Sequence, residues 1–234
     1  AAMADAEPLG ACWVCCDDAP PLVPTGCGCR GSAGRAHLKC LIEAAKHDVA
    51  RWTSCPTCEQ FFTGECDVGL AKARWETVKD RPEDDGERLF VANNLAVTLT
   101  ESAGDHAGAL RLMEEVLAVR RRALGNEHPD TLDSITNLAL QHTEMGDFDA
   151  ALPLAAEAVA ATRRTLGDDD LHTLVSIGSL AALHNRMGNG ALARPLHEEA
   201  LAARVRLLGD DHLDALNSTH GLGQCLVGLG EVEE

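Results

Sequence analysis

Tyrosine is absent from this chain, and its four Phe and three Trp make up only 3% of 234 residues. Strand propensity leans on aromatic and β-branched residues, so a core this poor in rings argues against a β-sandwich and for packed helices. The leading AAMADAEPLGA has neither a basic start nor an apolar run, so no secretory signal is visible in it. No uncharged apolar run approaches the roughly 18–20 residues that cross a bilayer. The longest charge-free candidate, Leu171 to Asn185, holds two histidines and reads as an amphipathic helix. Position 1 is not Met, which points to a fragment or a processed form. Bases are scarce as well. The formal net charge is −17; residues 1–80 hold eleven acids and eight bases, residues 81–234 twenty-six acids and twelve bases. A strongly acidic half argues against a general phosphate-backbone binder, which needs a basic surface. The expectation is a soluble, intracellular chain, cytoplasmic or nuclear, with no membrane span and no nucleic-acid partner.

What is plentiful is cysteine, ten residues concentrated near the start. In a reducing compartment such cysteines act as metal ligands rather than disulfides. They fall into four short knuckles: Cys12-x-x-Cys15, Cys27-x-Cys29, His37-x-x-Cys40 and Cys55-x-x-Cys58. Eight ligands are what two tetrahedral zinc ions require, and one or two intervening residues let neighbouring ligands reach one ion at about 2.3 Å. Gly26, Gly28 and Gly31 ease the tight turns this demands. Metal binding, contributing roughly 10–16 kcal/mol in small fingers, replaces a core that residues 12–58 are too short and polar to build. Cys16, Cys66 and Cys225 fall outside the pattern and read as ordinary thiols, with Cys16 close enough to substitute for Cys15.

The ligand order, Cys-x-Cys as second pair, the Arg30-Gly31-Ser32 that follows, seven residues to His37, and Cys40-Leu41 resemble the RING-CH (RING-variant) finger of ubiquitin ligases. The resemblance covers residues 12 to about 62. It implies a cross-braced finger, with Cys12, Cys15, His37 and Cys40 on one zinc and Cys27, Cys29, Cys55 and Cys58 on the other. It also implies a docking plate for a ubiquitin-loaded conjugating enzyme, with no catalytic nucleophile or base of its own; rate would come from positioning. By position, Val14 and Pro56 match the family's apolar contacts. Trp13 and Trp52 are candidates for the shelf between them or for a mini-core. Two positions depart from the pattern: Ala44 stands where the family carries a Trp, and Glu59 where many active RING ligases carry a base. The nearest alternative is a PHD finger, which shares the ligand order but puts a Trp two residues before the seventh ligand, where Thr53 stands here.

Past residue 62 the pattern changes. Leu124-Gly125, Leu166-Gly167 and Leu208-Gly209 recur every 42 residues, as do Gly104, Gly146, Gly188 and Gly230; residues 126–167 laid over 168–209 match at nineteen positions. That is a repeat array. In the middle unit Leu132, Ile135, Leu138, Ala139 and His142 keep helical spacing up to Gly146, and Ala151, Leu154, Ala158 and Thr162 mark a second helix ending at Leu166-Gly167. Pro153 and Pro195 predict an irregular first turn in the second helices. The unit, with its His128-Pro129-Asp130-Thr131-Leu132, Asn137-Leu138-Ala139, Gly146 and closing Leu-Gly, resembles the tetratricopeptide repeat in its longer, kinesin-light-chain-like form. That resemblance implies a solenoid of helical hairpins with a peptide-binding groove, where Asn94 and Asn137 either bond a peptide backbone or bridge neighbouring helices. His142 and His184 read as buried packing residues. The last unit stops after one helix, leaving an apolar face near Leu216 and Leu222 uncovered.

The expected organisation is therefore a zinc-stabilised cross-brace finger plus all-α: a RING-CH-type finger with two zinc ions at 1–62, a connecting helix or linker at 63–82 (helix about 67–79), and tetratricopeptide-like repeats at 83–234. The expected function is a RING-type ubiquitin ligase whose finger recruits a conjugating enzyme and whose repeats recruit a protein or peptide substrate. The competing expectation is a non-enzymatic adaptor or scaffold with a PHD-like or structural zinc finger and a peptide-binding array.

Overall fold

The computed structural model describes residues 12, 14–16, 21–26 and 34–230. Trp13, Cys27, Cys29 and the Arg30-Gly31-Ser32 stretch lie outside the described residues. The chain divides into two compact units, residues 1–109 and 110–234.

In the first unit β1 (Val23–Pro24) pairs antiparallel with β2 (Arg35–Ala36), Val23 opposite Ala36. Next come α1 (Leu38–Ala45) and a single 3-10 turn (Val49–Trp52), after which Ser54 bridges Phe61. Two longer helices, α2 (Gly64–Val78) and α3 (Gly86–Glu101), complete it. One apolar core runs from Cys12, Ala36, Leu41, Trp52, Cys55 and Phe62 into Cys66 and Leu70 of α2. The α2 helix starts three residues earlier than the spacing predicts and packs on β1, α1, the 3-10 turn and α3. Across the α2–α3 seam the Arg88 guanidinium lies 5.7 Å from the Trp75 ring centre and that of Arg74 5.6 Å from Phe90, contacts that attract a cation to a ring face. Gly26 is fixed by a close approach: at φ +72°, a Cβ there would sit 1.8 Å from Oγ1 of Thr63, so no other residue fits.

The second unit holds most of α4 (His106–Leu124), then α5 (Pro129–Met145), α6 (Phe148–Leu166), α7 (Leu171–Arg186), α8 (Gly190–Leu208) and α9 (Leu213–Gly228). Each helix packs on the next, α5 on α6, α6 on α7, α7 on α8 and α8 on α9, and α5 also meets α7 and α7 meets α9. Small residues make this close approach possible: Ala139, Ala151 and Ala155 surround Leu183, and Ala200 and Ala203 cover Leu174 and Ile177. Helix starts follow the repeat. His128 and His212 accept from the N–H two residues on through their rings, and Asp170 does so through its carboxylate. Helix ends follow it too. Gly146 ends α5 at φ +76°, and the next N–H, of Asp147, bonds the His142 carbonyl, the left-handed closure that favours glycine.

The prolines are a correction. Helices α6 and α8 run unbroken from Phe148 and Gly190, with Pro153 and Pro195 inside them. Each proline removes one bond, to the carbonyl of Asp149 or Ala191, but these residues and the prolines are all exposed, so solvent satisfies the carbonyl. On their exposed sides the second helices carry arginines that pair with acids on the next second helix or in a loop. Arg121 pairs with Glu157 and Arg163 with Glu199, each 36 residues apart; Arg164 pairs with Glu127 and Arg206 with Asp169, each 37 apart.

Helix α2 keeps the same register. The second helices start at 106, 148 and 190, and α2 starts at 64, one more step of 42 back. It packs on α3 as α6 packs on α7. The segment expected to be a linker thus carries the outline of a second repeat helix, with Asp67 and Arg74 where α6 has Ala151 and Ala158.

Candidate metal centre and groove

Cys12, Cys15, His37 and Cys40 come together in the first unit, with their ligand atoms all within 4.8 Å of one another. The folding reason is local. His37 is the N-cap of α1, so its ring projects from the helix start and Cys40 follows in the first turn. Strand β2 delivers His37 beside the first knuckle, where its N–H donates to the Cys12 sulfur at 3.3 Å. The His37 Nδ1 lies 3.3 Å from the Cys15 sulfur and 3.7 Å from that of Cys40. Ligands held about 2.3 Å from one tetrahedral ion stand roughly 3.8 Å apart, so these spacings fit a zinc-sized dication. Cys12 is fully buried and His37 nearly so.

The electrostatics favour a cation among these sulfurs. Burial pushes the Cys12 thiol up, but N–H groups of His37, Cys15 and Val14 aimed at its sulfur outweigh this and bring it to about 6. Burial, with the neighbouring Cys15 and Cys12 sulfurs, pushes Cys40 up to about 11. Several thiolates cannot share this space without a cation to hold them together.

The Cys55-x-x-Cys58 knuckle shares two features with the Cys12-x-x-Cys15 knuckle. In both, the residue after the second cysteine has a positive φ, +61° at Cys16 and +58° at Glu59. In both, that residue's N–H bonds the carbonyl of the first cysteine, at 2.7 Å and 2.8 Å. A left-handed turn at a non-glycine residue is uncommon, and neither Cys16 nor Glu59 marks it in the sequence.

Val14 is 37% exposed and Pro56 is exposed at the tip of the last knuckle, whereas Trp52 is buried in the finger core. Phe61, 72% exposed, was not among the residues singled out from the sequence. Asn94 is half-buried and walls a slot of about 30 Å³ with Trp52, Thr53, Asp67 and Arg74. Beside it burial raises the Asp67 carboxyl, against a 3.0 Å hydrogen bond from Ser102. Asn137 is half-buried in α5. His142 is buried with its Nδ1 3.2 Å from Asp147, and His184 is half-buried.

In the second unit a hollow of about 440 Å³ opens between α5, α7 and α9. Val175, Gly178, Ser179 and Ala182 of α7 lie along it, with His197 and Arg204 of α8 beneath and Asp214, Asn217 and Gly221 of α9 opposite. Arg204 is buried and held by Ser218 Oγ at 2.5 Å and the Leu174 carbonyl at 3.0 Å. His197 bonds Asn185 at 3.0 Å, and its ring fills the space a side chain at Gly221 would take. Among the described residues no helix is long and apolar enough to cross a membrane.

Stacked helical hairpins with a groove along their first helices define an α-helical repeat protein, here joined to a cluster of three thiols and an imidazole able to hold a metal ion. The matches agree. The chain belongs to the tetratricopeptide repeat family, whose model matches residues 87–164, 132–189 and 169–234, and such repeats bind protein partners. Among solved structures it is similar to a Podosopora anserina protein described as a putative kinesin light chain with nearly identical TPR-like repeats. Identity is 24% over 83% of this chain and 87% of that one, with TM-scores of 0.59 for a variant form and 0.57 for the other. It is also similar to BtubC (BKLC) from P. vanneervenii, at 19% identity over 83% and 80% of the two chains, with a TM-score of 0.58. These likenesses concern the fold. No curated protein matches the chain, and the family match leaves residues 12–62 uncovered.

Proposed function

We propose that this chain is a non-enzymatic protein-interaction adaptor, in which a zinc-held Cys/His module is built onto a repeat array that grips a segment of a partner. The hollow of about 440 Å³ along α7 carries this reading, because it opens along first helices and is the size of a bound segment of chain. Cys12, Cys15, His37 and Cys40 hold one zinc; Cys55 and Cys58, with Cys27 and Cys29, hold the second. Residues 1–62 form the metal module, 63–82 the join and 83–234 the array. A photo-crosslinking residue at Ala182, in the groove, captures a partner in the cells that make this protein, while one at the exposed Ala160 does not. Equal capture from both, or none at Ala182, overturns the adaptor reading. Metal analysis gives two zinc ions per chain, and one ion only removes the second site.

A second reading, a RING-type ubiquitin ligase, is favoured by the exposed Val14 and Pro56 on two knuckles that each close on a positive-φ residue. Buried Trp52 and acidic Glu59 stand against it. Purified zinc-replete protein is offered to a panel of ubiquitin-loaded conjugating enzymes, with Cys40→Ser as control. Acceleration that the control loses establishes the ligase; none across the panel leaves the adaptor.

A further inference from the structure

Resting on the adaptor reading, we propose that the groove along α7 takes an extended peptide in which a bulky apolar side chain sits next to a lysine or arginine. The apolar half comes from a local shrinkage of side chains. At the repeat position of Asn137 the next two units carry Ser179 and Gly221, and beside it Thr136 and Leu140 give way to Gly178 and Ala182. Missing bulk on neighbouring positions of one helix leaves a depression, and Val175, 47% exposed, and Leu140 supply apolar walls. Small floor and apolar wall together call for a large side chain from outside.

The basic half comes from charge that the fold has already committed. The chain has no lysine after Lys79. Arg121, Arg163, Arg164 and Arg206 of the second helices are paired with acids, and Arg186 and Arg194 pair with Glu144 and Glu198. Arg204 lines the hollow, but it is buried and turned to Ser218 and the Leu174 carbonyl. The half-buried Asp214 carboxylate lines the same hollow, 3.7 Å from the His212 ring, and the half-buried Asp133, bonded to His172 at 2.8 Å, occupies the repeat position of Val175 and Asn217. Ser179 gives its own hydrogen to the Val175 carbonyl at 3.0 Å, so its oxygen is left to accept. The reachable groups are therefore mostly acceptors with a negative rim, and they fit an occupant rich in donors and positive charge.

The test selects a random peptide display library on the full zinc-replete chain, then measures the enriched peptides by fluorescence anisotropy. Expected are peptides pairing a basic with a bulky apolar residue. Their affinity falls on the order of tenfold when the base is replaced by Glu, and it weakens with added salt. Ser179→Phe, which fills the hollow, abolishes binding while helical content and melting temperature are kept; Ala182→Leu serves if it does not fold. Groove-dependent peptides that are acidic, or indifferent to charge, overturn this inference and leave the adaptor reading in place. Peptides that bind regardless of Ser179→Phe and Ala182→Leu, or no peptides at all from a folded chain, overturn both.

Discussion

Leu132, Leu174 and Leu216 occupy one position in successive repeats, yet the first two are 1% and 0% exposed and the third 52%. The same substitution should therefore have different costs along the array. Leu174 packs with Ile177, Ala200 and Ala203, with Val159 and Leu196 at the edges. Truncating it to Ala leaves a cavity among side chains that cannot collapse, which costs about 3 kcal/mol. Half-exposed Leu216 has only part of a leucine's burial to lose, at most about 1 kcal/mol. With a urea slope of about 2 kcal/mol per molar for a unit of this size, Leu174→Ala lowers the midpoint by about 1.5 M and Leu216→Ala by less than about 0.5 M. Leu132→Ala should follow Leu174→Ala. Far-UV circular dichroism is the right readout, because Trp13, Trp52 and Trp75 all precede the second unit and tryptophan emission reports on the first alone. Equal losses for Leu174→Ala and Leu216→Ala would refute the reasoning, and a dependence of the Leu216 loss on protein concentration would show that chains bury this face against each other.

Three further outcomes test other parts of the structure. Glu59→Gly relieves a left-handed residue and should stabilise the first unit by about 1 kcal/mol, raising the tryptophan-monitored melting temperature; a lower one would mean the Glu59 side chain holds the knuckle. Chelation, or Cys40→Ser, should open the core around Trp52 and shift its emission to the red, whereas Cys225→Ser should not; unchanged emission in metal-free protein would show that the core stands without metal. The array should lose stability on both sides of neutral pH, through opposite shifts. Burial and the Arg204 charge hold His197 below its ordinary value, so the native state resists a proton that the unfolded chain takes, and stability falls as pH drops through about 6.5. The hydrogen bond that the His172 ring donates to the Asp133 carboxylate raises His172, so its contribution is full below the ordinary value and is lost as pH rises through the raised one, by about 0.3 kcal/mol at this exposed site. Urea midpoints from about pH 5 to 8 should flatten on the acid side in His197→Gln and on the alkaline side in His172→Gln; no change in either variant would contradict the assignment.

The array was legible because its physics is local and periodic. A glycine at a left-handed helix end and a column of alanines where helices touch each leave a mark every 42 residues, and Gly146, Gly167 and Ala158 carry those marks openly. The convergence of Cys12, Cys15, His37 and Cys40 was expected from the resemblance rather than from spacing alone, since spacing says which ligands are neighbours in the chain and not which knuckles meet across it. Helix α2 was harder to place: Asp67 and Arg74 replace the small residues that identify a second helix, so only its start at residue 64 betrays the register. Burial of Trp52 was not readable, because one ring serves equally as core or as surface until its neighbours are known. The helical course through Pro153 depended on an exposed carbonyl, a matter of three-dimensional surroundings that the letter P does not carry.

The pairs joining Arg121 to Glu157 and Arg163 to Glu199, with their counterparts at Glu127 and Asp169, repeat in step with the chain. Duplicating residues 126–167 in tandem would present each new arginine with a new glutamate at the old separation, and each junction would look like one that already exists. Array length is thereby open to change by whole cassettes through gene duplication, with no junction to be invented, and a lineage can lengthen its reach toward a partner without touching the cysteines at the other end.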